Sequence, residues 1–426
     1  MDVKTWTVNQ LTARLLSGPW AHGEIAAAIE EMLGPAPLST REILVAGVLE
    51  LGEGRYPPAP HHLAAYLRHS PFFKPRKNQP VAAVLEAPRF APSPPFADLP
   101  IPALETPGAL AEWLGLTAEK LDFLADQRRQ HRRAEKPALR HYRYARIAKA
   151  GGQTRLLEAP KPRLKAIQRR ILHEILGKIP VHASAHGFVS GRSCLTGAQI
   201  HAGEAMVASF DLVQFFPSIT LPRIHGLFRA LGYPWAVARR LAGLCTTITP
   251  AGLQAADMYS APHLPQGAPT SPALANLLAW TLDKRLYGLA RAAGANYTRY
   301  ADDLAFSGDA TRIARLGKSV AAIVSEEGFA LNPAKTRIMP RKGRQRITGI
   351  TVNAHCNTGR AEFDALKATL HNCTRTGPAA QNRHAHPDFR RHLEGRLAWV
   401  EQINPARGEK LRQIFERIDW GGAAIS

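Results

Sequence analysis

Leu164, Ile167, Ile171, Ile175 and Leu176 recur every three or four residues, the spacing that lines one face of a helix. Arg163, Lys165, Arg169 and Arg170 fall largely on the other face. A different period precedes this stretch. From 141 to 160, aromatic or aliphatic residues alternate with polar ones on both sides of Gly151-Gly152, which predicts a hairpin turning at the glycines, with Lys149 and Arg155 flanking the turn. Later, VASFDLVQFFPSI at 207–219 reads as an apolar strand, and YTRYADDLAFSG at 297–308 reads as two short runs joined by a tight turn. Strand and helix patterns alternate irregularly up to residue 352, which predicts an α+β fold and not a regular doubly wound sheet. The tail from 391 to 420 has a helical pattern again.

At the other end, residues 1–70 predict short helices. Leu11, Leu15 and Leu16 fall at helical spacing, and Ser39 with Glu42 forms a capping box ahead of the apolar run 43–51. Ten prolines between 71 and 107 then break helices and deny strands their donors, so this stretch reads as an extended linker on a surface or in solvent. Such a linker gives the parts on either side little reason to share a core, and the extension is expected to be separable. Leu110, Trp113 and Leu114 predict one helix after it, and Thr117 begins another.

Composition adds a partner. Of 426 residues, 55 are Lys or Arg against 34 Asp or Glu, a formal charge of +21, which favours a polyanion such as nucleic acid or an anionic membrane. Residues 128–170 hold fifteen Lys or Arg against Glu135 and Glu158, with Tyr142 and Tyr144 interleaved. That segment reads as a phosphate-tracking surface, or alternatively as a solvated helix face. Residues 1–10 show no basic flank leading into an apolar run, and the uncharged stretch around 258–282 carries Pro262, Pro265, Pro269 and Pro272. A cytoplasmic chain with no membrane partner is expected. Cys194, Cys245, Cys356 and Cys373 form no CxxC pair, so neither a zinc site nor a disulfide framework is predicted.

The candidate chemistry lies in three carboxylates. Asp211 is the single acid delivered by an otherwise apolar strand, and burying it unpaired is costly, so it should coordinate a metal or pair with a cation. Asp302 and Asp303 are adjacent in their turn, where like charges repel unless something positive lies among them. Each segment alone has a bland reading, since an aspartate pair in a turn is also an ordinary solvated cap. Two Mg²⁺ ions, which take oxygen ligands and keep sites open for phosphates, would supply the missing charge. Between the two segments, LPQGAPTSP at 264–272 runs from a glycine and proline loop into a helix, an arrangement that attracts phosphates or is a plain loop-to-helix junction.

The order FDLVQFFPSI, LPQGAPTSP, YADD and LNPAKT resembles the successive palm motifs of reverse transcriptases, over about residues 108–420. The resemblance implies a right-hand polymerase with fingers and palm in 108–345 and the end of the palm with a helical thumb in 346–426, after an N-terminal helical extension (1–70) and a proline-rich linker (71–107). It implies Asp211, Asp302 and Asp303 as catalytic metal ligands, with the Leu212 carbonyl as a further ligand. It also implies Phe216 as the residue that excludes a ribose 2′-hydroxyl. Gln266 and Gly267 would meet nucleotide and template, Lys149 and Arg155 would grip the triphosphate, and Lys335 would lie near the leaving pyrophosphate. Gln214 departs from the pattern where many relatives carry a second acid.

Within that family the chain resembles retron-type enzymes, through His186-Gly187-Phe188, Gly191-Arg192-Ser193, GAQIH at 197–201 and Ile347-Thr348-Gly349. Gly197 stands where the retron element has Asn. His201 is then either a nucleic-acid contact, with Arg163, Lys165, Arg169 and Arg170, or a satisfied core histidine. The resemblance implies an enzyme that copies a structured non-coding RNA into branched, RNA-linked DNA from deoxynucleoside triphosphates, with an effector protein as a further partner and a role in phage defence. The alternatives are another bacterial reverse transcriptase, group II intron-like or defence-associated, or an RNA-binding factor that keeps the fold without significant synthesis. The intact carboxylates favour the enzyme.

Overall fold

The computed structural model describes residues 3–33, 38–52, 57–71, 88–126, 139–148, 154–254 and 257–420. Its chain divides into two compact units, Met1–Pro180 with Gln214–Leu278, and Val181–Val213 with Ala279–Ser426.

The first unit opens with helices Val3–Ser17, His22–Leu33, Leu38–Glu50 and Pro60–His69. Their apolar faces, including Leu11, Ile25, Leu44 and Leu63, close on one core. The third helix already begins at Leu38, so Ser39 lies inside its first turn and the expected capping box does not start it. The extension is also less separable than its linker suggested. Trp235, the first residue of the helix Trp235–Cys245, packs against the same core. The buried Arg229 guanidinium donates to the Leu16 carbonyl and, at 2.6 Å, to that of Tyr233. Removing residues 1–70 would take from that cation its acceptors at Leu16 and Gly18, a costly change for a buried charge.

Part of the proline-rich stretch, residues 72–87, lies outside the described residues. The remainder is held on the protein surface, where the amides of Ala91 and Ser93 donate to the carbonyls of Gly232 and Ala230 at 2.9 and 3.0 Å. Gly232 has φ +99°, and a Cβ there would fall 2.4 Å from the Pro92 nitrogen, so this contact requires glycine. Thr106 and Thr117 then cap helices Pro107–Trp113 and Ala118–Leu124 with their side-chain oxygens. Strands β1 (Tyr142–Ala148) and β2 (Thr154–Pro160) pair antiparallel from Tyr142 opposite Pro160 to Ala148 opposite Thr154. The glycine turn and Lys149 lie outside the described residues. After β2, helix Pro162–Glu174 buries Leu164, Ile167 and Ile171, as the spacing predicts.

The second unit is built on four antiparallel strands, β3 (Met206–Asp211), β4 (Asn296–Tyr300), β5 (Asp303–Gly308) and β6 (Arg337–Pro340), in the order β4-β5-β3-β6. Val207, Ala208 and Phe210 of β3 are all buried, the continuous apolar run of a strand covered on both faces. A small hairpin, β7 (Arg346–Ile347) and β8 (Ile350–Thr351), turns through Thr348 and Gly349, both at positive φ. That is what a tight two-residue hairpin demands, and it accounts for the glycine of the Ile-Thr-Gly element. Helices Arg360–Thr376, Phe389–Ile403 and Pro405–Phe415 close on a core of their own around Leu370, Leu397 and Leu411.

The fold is therefore α+β. Among the described residues no helix is long and apolar enough to cross a membrane. All four cysteines are free, and Cys245, Cys356 and Cys373 are buried.

Candidate active site

Strand pairing brings the three acids together. In the antiparallel register of β3 and β5, Asp211 stands opposite Asp303. The Leu212 amide donates to the Asp302 carbonyl at 2.9 Å, fixing the intervening turn on the end of β3. The turn itself spans only Ala301 and Asp302, since Tyr300 pairs with Asp303, and Ala301 has φ +55°. A non-glycine residue held there costs about 1–3 kcal/mol, strain that the surroundings must offset.

Several contacts do so. Arg299 is fully buried in β4, with Nε and Nη2 on the Asp283 carboxylate at 2.8 and 2.6 Å and Nη1 on the Ala301 carbonyl at 3.1 Å. Tyr297 also donates to Asp283, at 2.8 Å. The backbone of Arg299 is held too: its amide donates to Ser184 and its carbonyl accepts from His186, both at 2.8 Å. Gly187 follows, and a Cβ at that position would lie 2.7 Å from the Ala301 nitrogen. The His-Gly-Phe element is thus the segment laid against the acid-bearing turn, and its glycine permits the approach.

One cation reaches Asp211 directly. Lys335, on the short turn Pro333–Lys335, donates from Nζ to Asp211 Oδ1 at 2.7 Å. That contact raises the Lys335 pKa, and the other acids add to the effect. Asp303 is pushed up to about 6, first by the protein around its carboxyl, although the residue keeps exposed surface, and then by repulsion from Asp302 and Asp211. Among the described residues no group of three or more His, Cys, Asp and Glu is gathered so as to hold a metal as it stands. The mutual repulsion that raises Asp303, the all-oxygen donors and a lysine already bound to Asp211 nevertheless fit hard divalent ions. Asp211, Asp302 and Asp303 are the residues that would hold them.

His201 has a different role from the one expected. It is fully buried, with Nδ1 bonded to Ser307 Oγ at 2.7 Å and Nε2 to Thr298 Oγ1 at 2.8 Å, and burial lowers its pKa to about 3. With both ring nitrogens satisfied and no exposed surface, it ties β4 to β5 and has nothing to offer a nucleic acid. Of its two readings, the core histidine holds.

Within the first unit, the Gln266-Gly267 loop is anchored on β2. The Glu158 amide donates to the Gln266 carbonyl at 2.8 Å, and Gly267, at φ +126°, comes so close that a Cβ would lie 3.3 Å from the Glu158 carbonyl oxygen. The Gln266 Oε1 atom is buried without a partner among the described residues, which leaves an acceptor to be satisfied. Sequence reading missed the group behind this loop: the fully buried Glu158 carboxylate accepts from Thr249 Oγ1 at 2.6 Å and meets His263 Nε2 at 3.0 Å. Glu158 was legible only as one of two acids in a basic segment.

Phe216 is half-buried against Phe215, with ring centroids 5.7 Å apart, and Gln214, at φ +50°, accepts from the Tyr259 hydroxyl at 3.0 Å. Arg155 is exposed on β2, as are Arg163, Lys165 and Arg169 on the helix that follows. Arg170 is exposed but committed, to Glu174 at 2.9 Å and over the Trp113 ring at 4.8 Å.

Comparison with known proteins places the chain in a family. The family described as reverse transcriptase (RNA-dependent DNA polymerase) matches residues 147–352. The retron Mx65 reverse transcriptase of Myxococcus xanthus is 44% identical over 318 residues, covering 73% of this chain and 71% of that protein. The retron Mx162 reverse transcriptase of the same organism is 37% identical over 344 residues, covering 75% and 69%. The retron Ec86 reverse transcriptase of Escherichia coli is 32% identical over 282 residues, covering 65% and 81%. The chain belongs to the retron reverse transcriptases. It is an RNA-directed DNA polymerase of that type, a family that works with divalent metal ions and an RNA template.

Proposed function

We propose that the enzyme copies a structured non-coding RNA into DNA by nucleotidyl transfer at Asp211, Asp302 and Asp303, and that its product is branched, RNA-linked DNA. The observation that carries this reading is the strand register that sets Asp211 opposite Asp303, with the Asp302 carbonyl on the Leu212 amide. Two Mg²⁺ ions bound by these acids would stabilise the attacking and leaving oxygens of an in-line transfer.

The chain's own residues have separable tasks in this reading. Asp211, Asp302 and Asp303 hold the charge, with the Leu212 carbonyl as a further ligand. Lys335 is the cation that leaves Asp211 for the triphosphate. Lys149 and Arg155 hold the phosphates of the deoxynucleoside triphosphate, Phe216 closes the space a 2′-hydroxyl needs, and Gln266 with Gly267 lies against nucleotide and template. Arg163, Lys165 and Arg169 track RNA phosphates, by charge more than by sequence. In hand-shaped terms, residues 108–345 are fingers and palm and 346–426 the end of the palm and the thumb, after the extension (1–70) and the linker (71–107). An effector protein as partner and phage defence as the role belong to the same proposal.

The test is the 5′ end of the DNA product. DNA from cells expressing the enzyme with its neighbouring non-coding region should carry a short RNA through a 2′-5′ link that resists ribonuclease at the branch and yields to a debranching enzyme. A free or protein-linked 5′ end would refute the branched product.

A further inference from the structure

The helix Trp280–Ala292 turns Leu282, Asp283, Leu286 and Ala290 inward. Its opposite face presents Trp280, Lys284, Tyr287, Gly288 and Arg291, all exposed, at the spacing of one continuous helical stripe. Trp280 and Tyr287 are 42% and 43% exposed, two large rings on one face. The stripe runs twelve residues, from Trp280 to Arg291, about 16 Å from first to last at 1.5 Å per residue.

Its chemistry is mixed in a particular way. The His182 ring stands edge-on to both Trp280 and Tyr287, with centroids 5.8 Å from each. Burial lowers the His182 pKa, so at neutral pH it is a third ring and not a charge. The loop that carries it is clamped by Arg192, whose Nη1 bonds the carbonyls of His182, Ala183 and Ala185 at 2.7–3.0 Å. Lys284 Nζ lies 5.6 Å from the centre of the Trp280 ring. The helix's acid, Asp283, points inward to Arg299, and Arg285 is tied to Glu326 and Glu327. Lys284 and Arg291 therefore remain as cations with no acidic partner among the described residues.

Rings interleaved with cations, on a helix face that carries no carboxylate of its own, match the two needs of a single strand. Its bases have open faces to stack, and its phosphates need charge. A duplex keeps its bases stacked internally and offers only the second. In a chain of formal charge +21 whose enzyme class requires it to hold RNA, the complementary occupant is RNA. We propose that this stripe is a binding site for an unpaired segment of the enzyme's RNA. The proposal rests on the reading of the chain as the holder of a structured RNA. It adds a contact surface that includes none of the three carboxylates.

The test uses the full-length protein, freed of co-purifying nucleic acid, and reads binding, not synthesis. The probes are a fluorescein-labelled 12-nucleotide oligouridylate bearing one 4-thiouridine, a deoxyoligonucleotide of equal length, and a 12-base-pair RNA duplex. In wild type, the crosslinked peptide should fall within 279–291. The Trp280→Ser, Tyr287→Ser pair and the Lys284→Glu, Arg291→Glu pair should each weaken oligouridylate binding at least about tenfold, the scale of losing a stacked base. The duplex should bind wild type more weakly than the oligouridylate. Crosslinks confined to other peptides, unchanged affinity in both paired variants, or tighter binding of the deoxyoligonucleotide would each overturn the site. Because crosslinking is read in wild type, misfolding of a variant does not rescue the proposal. The carboxylate assignment is tested separately by primer extension and survives its failure.

Discussion

Arg299 grips both carboxylate oxygens of Asp283, at 2.8 and 2.6 Å, with neither side chain exposed, and spends its remaining nitrogen on the carbonyl of Ala301. A buried pair of this kind is seldom retained for stability alone, since apolar residues of similar volume often do as well. Its third contact gives it a second task, holding the turn that carries Asp302 and leads into Asp303.

The first prediction separates those tasks. Arg299→Met alone should destabilise by about 3–5 kcal/mol, because Asp283 is left buried and unpaired. Combining it with Asp283→Leu and Tyr297→Phe should recover most of that loss in urea unfolding. Primer extension should stay at least about tenfold down, since a misplaced acid is costly even in a sound fold. Recovery of activity together with stability would leave the pair a purely structural one.

A second prediction concerns pH. His201 is neutral in the folded protein, its pKa depressed to about 3, whereas unfolded it titrates near 6.5. Between those values the unfolded chain binds a proton that the native one does not, so stability is fully present above about 6.5 and falls as pH falls toward 3. The contribution of this residue is up to about 1.4 kcal/mol per pH unit across that window. His225, also depressed to about 3, acts in the same sense. Unfolding free energies from pH 7 to 5 should therefore decline less steeply in His201→Gln than in wild type. Parallel slopes would show that His201 takes up its proton in the native state as readily as in the unfolded chain.

Much of the site was legible because local sequence and strand pairing agree. An apolar strand ending in Asp211 and a tight turn ending in Asp303 have to pair in register to bury their runs, and that pairing alone puts the acids opposite each other. The glycine of His-Gly-Phe was visible as a motif, but its reason, the approach to Ala301, was not. Asp283 and Glu158 were illegible for another cause. Each is an acid whose partner sits elsewhere in the chain, Arg299 for one and His263 for the other, and no local period distinguishes such residues from surface charge. His201 shows the converse, since a motif position suggested contact with nucleic acid while burial between Ser307 and Thr298 assigns it to the core.

The third prediction follows from the half-buried ring of Phe216. Phe216→Ala should open space beside the sugar and lower the ratio of kcat/KM for deoxynucleotide over ribonucleotide by about tenfold or more, with the deoxynucleotide rate little changed. An unchanged ratio would make the residue a packing partner of Phe215 and nothing more.

The most direct test of the whole account is primer extension by Asp302→Asn and Asp211→Asn, measured beside RNA binding by the same preparations. Each change removes one negative charge from the acid cluster and leaves the exposed cations of the helix Pro162–Glu174 untouched. Synthesis should fall by orders of magnitude while RNA affinity stays at the wild-type level. Near-normal extension by either variant would contradict the assignment of these carboxylates as the catalytic centre.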